Sequence, residues 1–143
     1  MSLEWIDSLD KVNLEELSHL YEIAPLGTKL PADLAIAFSN SRFKCFAYEA
    51  GLLIAAGRAL ADGVDCSYIC DVAVHPDYQG RGIGKELVTR LVDLSKHHRK
   101  IILYAAIGKE SFYRQLGFKP MTTAMAIFQN QAQALERGLV SDN

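Results

Sequence analysis

Apolar and polar residues follow two different periods along the chain. Residues 12–23 place leucines at helical spacing behind Asn13, a residue that favours helix N-caps. Pro31 suits the first turn of a second helix that continues through residue 40. Residues 82–98 carry the clearest helical pattern, with isoleucine, leucine and valine on one face and charges on the other. These patterns predict three helices, of which 82–98 is the longest.

Shorter apolar runs bounded by turn residues predict strands. Residues 42–60 fit two strands around a turn at 49–51, and Asp62-Gly63 is a hairpin signal. The remaining predicted elements are a strand over 66–75, a buried-type strand over 100–107, a short helix over 109–117, a last strand over 125–128, and a tail, 129–143, that is either helical or frayed. This order predicts a mixed α/β or α+β chain built on one central sheet.

Composition narrows the class of protein. The chain has 143 residues, 50% of them hydrophobic and 22% charged, which fits one globular domain over 1–143 with 129–143 as a peripheral tail. The net charge of −2 argues against a nucleic-acid partner. Without a long apolar run or a secretory signal, the sequence predicts no membrane partner and a cytoplasmic location. The three cysteines are interpreted as buried or partly buried thiols, and no metal site is predicted.

The stretch YQGRGIG, residues 78–84, places three glycines just before the longest helix. A helix N-terminus offers unpaired N–H groups, and glycine lets an anion such as pyrophosphate approach the backbone closely. A tight strand-to-helix turn explains the glycines equally well. The spacing fits neither a P-loop nor a dinucleotide-binding fingerprint, since Lys85 stands where the P-loop needs its second glycine.

A third phosphate-binding pattern does fit. The stretch VAVHPDYQGRGIGKEL, residues 72–87, resembles the acyl-CoA signature of the GNAT superfamily of N-acetyltransferases, and FYRQLGF, residues 112–118, resembles its second signature. The likeness covers roughly residues 1–128. Within the superfamily, residues 57–63 and 68–91 look similar to small plant and cyanobacterial arylalkylamine-type members.

The resemblance implies a fold and an activity. The expected fold is a mixed, mostly antiparallel sheet of about six or seven strands, splayed between the fourth and fifth and flanked by about four helices. The expected reaction transfers an acetyl group from acetyl-CoA to the primary amine of a small acceptor, by direct attack in a ternary complex. The alternative is a non-catalytic module of the same fold that binds or senses acyl-CoA. A homodimer is compatible with either.

The resemblance also implies which residues hold acetyl-CoA. The pantetheine arm would bond the backbone of the strand before the glycines, and the pyrophosphate would bond the amides of the turn. The matching residues are Val72, Ala73, Val74, Gln79, Gly80, Arg81, Gly82, Ile83, Gly84 and Lys85. Many relatives have an asparagine shortly before the tyrosine of the second signature, but residues 106–111 contain none.

Two side chains are candidates for the chemistry. Tyr113 matches the family tyrosine that acts as general acid, and a phenol can protonate a departing thiolate; it could instead be a core aromatic. Asp71 is the only acid within the strand that precedes the glycine turn and is the candidate general base; it could instead be a structural carboxylate. We expect the acceptor site to be built from residues 24–40 and the strand edges around residues 62–71, whose apolar and aromatic groups would suit a small primary amine with an apolar or aromatic body.

Overall fold

The computed structural model describes residues 2–143. Its strands are β1 (Leu3–Ile6), β2 (Phe43–Glu49), β3 (Leu52–Ala61), β4 (Cys66–Val74) and β5 (Lys100–Ile102). Its helices are α1 (Leu14–Ile23), α2 (Pro31–Ser39), α3 (Ile83–Leu94), α4 (Glu110–Gln115) and α5 (Gln131–Glu136), with a 3₁₀ turn at Pro76–Tyr78. The chain divides into two compact units, which meet between Leu103 and Tyr104 in the sequence.

All five strands belong to the first unit and form one sheet in the order β1-β2-β3-β4-β5. The pairs β1–β2, β2–β3 and β3–β4 are antiparallel, and the pair β4–β5 is parallel. The mixed, mostly antiparallel sheet is therefore as predicted. The predicted counts were wrong within residues 2–143: the sheet has five strands rather than six or seven, and there are five α-helices rather than four.

The sheet opens between β4 and β5. The two strands pair only over Cys66–Tyr68 of β4, because β5 ends at Ile102 while β4 continues to Val74. The sequence pattern predicted a longer fifth strand, reaching residue 107. Beyond Tyr68, β4 is paired only with β3, so one side of its backbone carries no strand partner within the described residues. This opening lies where the resemblance predicts that the strands separate.

A β-bulge interrupts β4 at the same place. Ala56 pairs with Ala73 and Arg58 with Cys70, so Gly57 of β3 faces two residues of β4, Asp71 and Val72. Asp71 has a φ of 56°, in the left-handed region that non-glycine residues seldom adopt. A bulge bends its strand and reverses the alternation of side chains beyond it.

The two faces of the sheet show that reversal. Ser67 bonds Ser95 at the end of α3, which places it on the α3 face. Ala73 is six residues further along and would share that face in a regular strand, yet it packs in the core cluster with Leu17 and Leu20 of α1. The bulge thus redirects the end of β4.

Two apolar layers hold the sheet. On one face, α1 and α2 bury Leu17, Leu20, Tyr21, Leu34 and Phe38 against β2 and β3. On the other face, α3 buries Ile83, Leu87 and Leu91 of the predicted stripe, together with Val88. Leu94, predicted to share that face, is exposed because it is the last residue of the helix. The helix ends at Leu94 rather than at residue 98. At the next residue, Ser95, the side-chain hydroxyl donates to the Leu91 carbonyl and the backbone turns.

The second unit, which begins at Tyr104, contains α4 and α5. The tail predicted as helical or frayed forms α5, capped by Asn130, whose side chain accepts from the Gln133 amide. The predicted last strand over 125–128 is absent, and Met125 and Ile127 are 97% and 94% exposed. A short apolar run needs a partner to form a strand, and this one pairs with none of the described residues. No helix within residues 2–143 is long and apolar enough to cross a bilayer.

Gly57 allows α3 to pack closely on the sheet, because it has no Cβ. A Cβ added there would lie 3.0 Å from Leu91 Cδ1, and Leu91 is fully buried. We expect Gly57→Ala to lower the free energy of unfolding by about 1–3 kcal/mol, the usual cost of overpacking. Urea denaturation measures the change. In a Leu91→Ala background, where the clashing methyl is gone, the same substitution should cost less. An equal cost in both backgrounds would contradict the packing explanation.

Candidate active site

The glycine turn connects the open end of β4 to α3. Gly80 and Gly82 have φ values of 80° and 79°, so both use the left-handed conformation that glycine adopts without strain. Among residues 2–143, no atom lies within 4 Å of the position that a Cβ would take at either glycine. The space beside the turn is therefore open, as a site for an external group requires.

The first turn of α3 faces this space without a capping side chain. Its N-cap is Gly82, which has no side chain to offer, and the first intrahelical bond joins the Glu86 amide to the Gly82 carbonyl at 3.0 Å. The amides of Ile83, Gly84 and Lys85 precede that bond. Together with the partial positive charge of a helix N-terminus, they fit a phosphate group.

The side chains of the turn shape it from both ends. Gln79 donates from Nε2 to the Val74 carbonyl at 3.2 Å, which closes the end of β4. The guanidinium of Arg81 lies 5.1 Å from the ring centroid of Tyr78. His75 accepts from the Asp77 amide through Nδ1 and caps the 3₁₀ turn at Pro76–Tyr78.

Asp71, at the bulge, is the centre of a part-buried charge cluster. Its Oδ2 accepts from Arg58 Nε at 2.8 Å, and its Oδ1 lies 3.5 Å from Lys29 Nζ. Tyr21 donates from its hydroxyl to the Asp71 carbonyl at 2.7 Å. We call Lys29, Arg58, Asp71 and Tyr21 the Asp71 cluster.

Arg58 is fixed from several directions. Its Nη1 donates to Ser41 Oγ at 3.2 Å, and its guanidinium lies 5.9 Å from the Phe38 ring centroid. Burial disfavours the charged guanidinium, but at the high pH where a guanidinium titrates, the ionised Cys70, the Asp71 charge and the hydrogen bond to Asp71 outweigh burial, so the pKa of Arg58 is raised. Arg58 therefore stays cationic.

Two neutral groups adjoin these charges. Burial, reinforced by the Asp71 charge, raises the pKa of Tyr21 well above its ordinary value. Burial also raises the pKa of Cys70 to about 11, although the charge of Arg58 opposes the shift. Both groups therefore remain protonated at neutral pH and add no charge to the Asp71 cluster.

Sequence reasoning predicted Asp71 but missed its partners. Arg58 has a recognisable signal, since it is the one charged residue in the apolar strand LLIAAGRALA. Lys29 has none, because it lies in a loop that only the fold brings to β4. Two aromatic residues of this part of the chain, Phe38 and Phe46, are fully buried and stack in the core at 5.4 Å between ring centroids, so they are core residues.

Tyr113 lies on α4, in the second unit. Its ring contacts Phe112 and Phe118 edge-on, at 5.0 and 5.8 Å between centroids. Burial raises the pKa of Tyr113 above its ordinary value of 10.0, so its phenol keeps its proton well beyond neutral pH. The first unit therefore contains the glycine turn and the Asp71 cluster, and the second contains a protonated phenol.

The chain belongs to the acetyltransferase (GNAT) family, whose model matches residues 7–118. This match confirms the resemblance that the two sequence signatures carried.

Relatives and solved structures agree with the family. An uncharacterized N-acetyltransferase, ycf52, of Pyropia yezoensis is 29% identical over 80% of this chain and 69% of its own length. The chloroplastic serotonin N-acetyltransferase 2 of Oryza sativa subsp. japonica is 40% identical over 59% of this chain and only 45% of its own length. A crystal structure of a probable acetyltransferase from Staphylococcus aureus superposes with a TM-score of 0.79 at 21% identity, covering 89% of this chain and 98% of that one. That last likeness concerns the fold.

The Asp71 cluster should stabilise the fold more than an exposed ion pair does. Asp71→Asn keeps the side-chain shape and leaves Arg58, whose side chain is 16% exposed, without its carboxylate. We expect a loss of about 1–3 kcal/mol in the free energy of unfolding, measured by urea denaturation. Asp65→Asn is the control, because Asp65 pairs with Lys100 and Arg99 on the surface, where such pairs contribute about 1 kcal/mol or less. Equal effects of both substitutions would contradict the assignment.

Proposed function

We propose that the protein transfers an acetyl group from acetyl-CoA to the primary amine of a small acceptor, by direct attack in a ternary complex. The observation that carries the proposal is the left-handed Gly80–Gly82 turn, with open space beside it, between the unpaired end of β4 and the uncapped N-terminus of α3. In a chain of this family, that arrangement fits an acyl-CoA site.

The coenzyme would be held mainly by backbone. The amides of Gln79, Gly80, Arg81, Gly82, Ile83, Gly84 and Lys85 would bind the pyrophosphate. Val72, Ala73 and Val74 would bond the pantetheine arm, since β4 has no strand partner on one side there. Acetyl-CoA supplies the reaction with an activated thioester.

Tyr113 acts as the general acid in this proposal. Attack of the amine expels a thiolate, and the phenol donates its proton to that sulfur. The raised pKa of Tyr113 supports the assignment, because a donor must still be protonated at the working pH.

Asp71 takes up the proton of the incoming ammonium, directly or through water. Its ion pairs with Arg58 and Lys29 also support the other role that the sequence left open, a structural carboxylate. The Asp71→Asn variant separates the two: a base role predicts a fall in kcat per folded molecule, and a structural role predicts a fall in stability alone. The compartment we propose is the cytoplasm; the name of the rice relative points to a plastid as the alternative.

Gly82→Val tests the coenzyme site. The branched Cβ would occupy the open space beside the turn, so acetyl-CoA affinity should fall about tenfold or more. Isothermal titration calorimetry on the folded variant measures it. Gly51→Val is the control, because Gly51 has a similar φ of 81° and equally open surroundings but lies in the β2–β3 turn. An unchanged affinity in Gly82→Val would refute the site. Binding without thiol release in the presence of an amine pool would instead favour the acyl-CoA-sensing alternative.

Tyr113→Phe tests the general acid. Phenylalanine keeps the ring and its contacts with Phe112 and Phe118 but loses the proton, so kcat should fall about 10²–10⁴-fold. Acetyl-CoA affinity should stay near that of the parent protein. Because burial raises the pKa of Tyr113, any decline of the parent's kcat from Tyr113 ionisation should come at a higher pH than an unperturbed phenol would give. A variant with the parent's kcat, in single-turnover measurements that exclude product release, would overturn the assignment.

A further inference from the structure

The Asp71 cluster carries more positive than negative charge. Lys29 and Arg58 are cations, and Asp71 is the one carboxylate that pairs with them. Tyr21 and Cys70 also adjoin the cluster, and both are protonated at neutral pH. The cluster therefore has a net charge of +1 from these residues.

This surplus charge is largely shielded from solvent. The side chains of Lys29, Arg58 and Asp71 are only 28%, 16% and 18% exposed. A part-buried cation that lacks a counter-charge has lost hydration without gaining a partner, which costs free energy until an anion binds.

The cations keep donors that a bound anion can use. Arg58 commits Nε to Asp71 and Nη1 to Ser41, while its Nη2 makes no hydrogen bond with any of residues 2–143. Lys29 Nζ lies 3.5 Å from Asp71 Oδ1, longer than a good hydrogen bond. Guanidinium and ammonium donors of this kind match the oxygens of a carboxylate or a phosphate.

The cluster also lies where an acceptor would bind. Asp71 directly precedes Val72–Val74, the part of β4 assigned to the pantetheine arm. Lys29 belongs to the loop before α2, and Ser18 donates to its carbonyl at 2.5 Å, which holds that loop on α1. The loop between α1 and α2 and the bulge of β4 thus bring the surplus charge next to the acyl end of the coenzyme site.

We propose that the acceptor is a small primary amine that also carries an oxyanion, a carboxylate or a phosphate, bound by Lys29 and Arg58. The inference rests on the proposed acetyl transfer and narrows its substrate class. An aromatic amine without an acidic group, by contrast, would bring only its positive ammonium to a cluster that is already positive.

Two matched pairs of acceptors test the proposal and separate the sources of the oxyanion. Tryptophan and tryptamine differ by a carboxylate, and phosphoethanolamine and ethanolamine differ by a phosphate. Binding of each compound to the full chain with CoA present is measured by calorimetry, and acetylation by thiol release from acetyl-CoA. We expect the anionic member of at least one pair to bind about tenfold more tightly and to have the higher kcat/KM.

Lys29→Gln then tests the residue. It removes the surplus charge and should lower the preference for the anionic member about tenfold, while Lys29→Arg should restore most of that preference. Lys11→Gln, at an exposed lysine outside the Asp71 cluster, is the matched control and should leave the preference intact.

Three outcomes would overturn the inference. In the first, neither anionic member binds more tightly than its neutral partner, which includes the case in which no acceptor binds at all. In the second, Lys29→Gln leaves the preference unchanged. In the third, Lys29→Gln weakens acetyl-CoA binding instead, which would show that the surplus charge binds the coenzyme and not the acceptor. Failure of the proposed function looks different, because no amine, anionic or neutral, would then release thiol from acetyl-CoA, whether or not acetyl-CoA binds. Failure of the inference alone leaves thiol release with at least one amine.

Discussion

The left-handed backbone of Asp71 is the constraint on which the site depends. It places two residues of β4 opposite Gly57 and reverses the faces of the strand beyond it. As a result, Ala73 packs toward α1 while Ser67 packs toward α3. The same bulge puts the Asp71 carboxylate next to Arg58 and Lys29. One unusual φ thus links the end of the sheet, the charge cluster and the strand assigned to the coenzyme.

Tertiary contacts stabilise this conformation. A non-glycine residue in the left-handed region costs about 1–2 kcal/mol, although aspartate tolerates it better than most. The Tyr21 hydroxyl fixes the Asp71 carbonyl, and Arg58 and Lys29 fix its carboxylate. Arg58 in turn bonds Ser41, which follows α2. The bulge is therefore held by α1, α2 and β3 together.

The sequence allowed the local elements and the glycine turn to be predicted, because their signals are local. Asn13 does cap α1, Ala50 and Gly51 do form the β2–β3 turn, and the apolar stripe of α3 is buried except at its last residue, Leu94. What failed depends on pairing between distant segments. The isolated run 125–128 has strand-like residues but no strand partner, and β1 is too short to show a period. Likewise, nothing near Lys29 in the sequence indicates that it lies beside Asp71.

Cys70 shows a redox consequence of the same burial. It neighbours Asp71, in the strand along which the proposed reaction would release a free thiol, CoA, at every turnover. A reactive cysteine there would invite a mixed disulfide with the product under oxidising conditions. Because burial raises the pKa of Cys70 to about 11, this residue is almost entirely a protonated thiol at pH 7. The packing that secures the bulge thereby also protects the protein from being trapped by its own product.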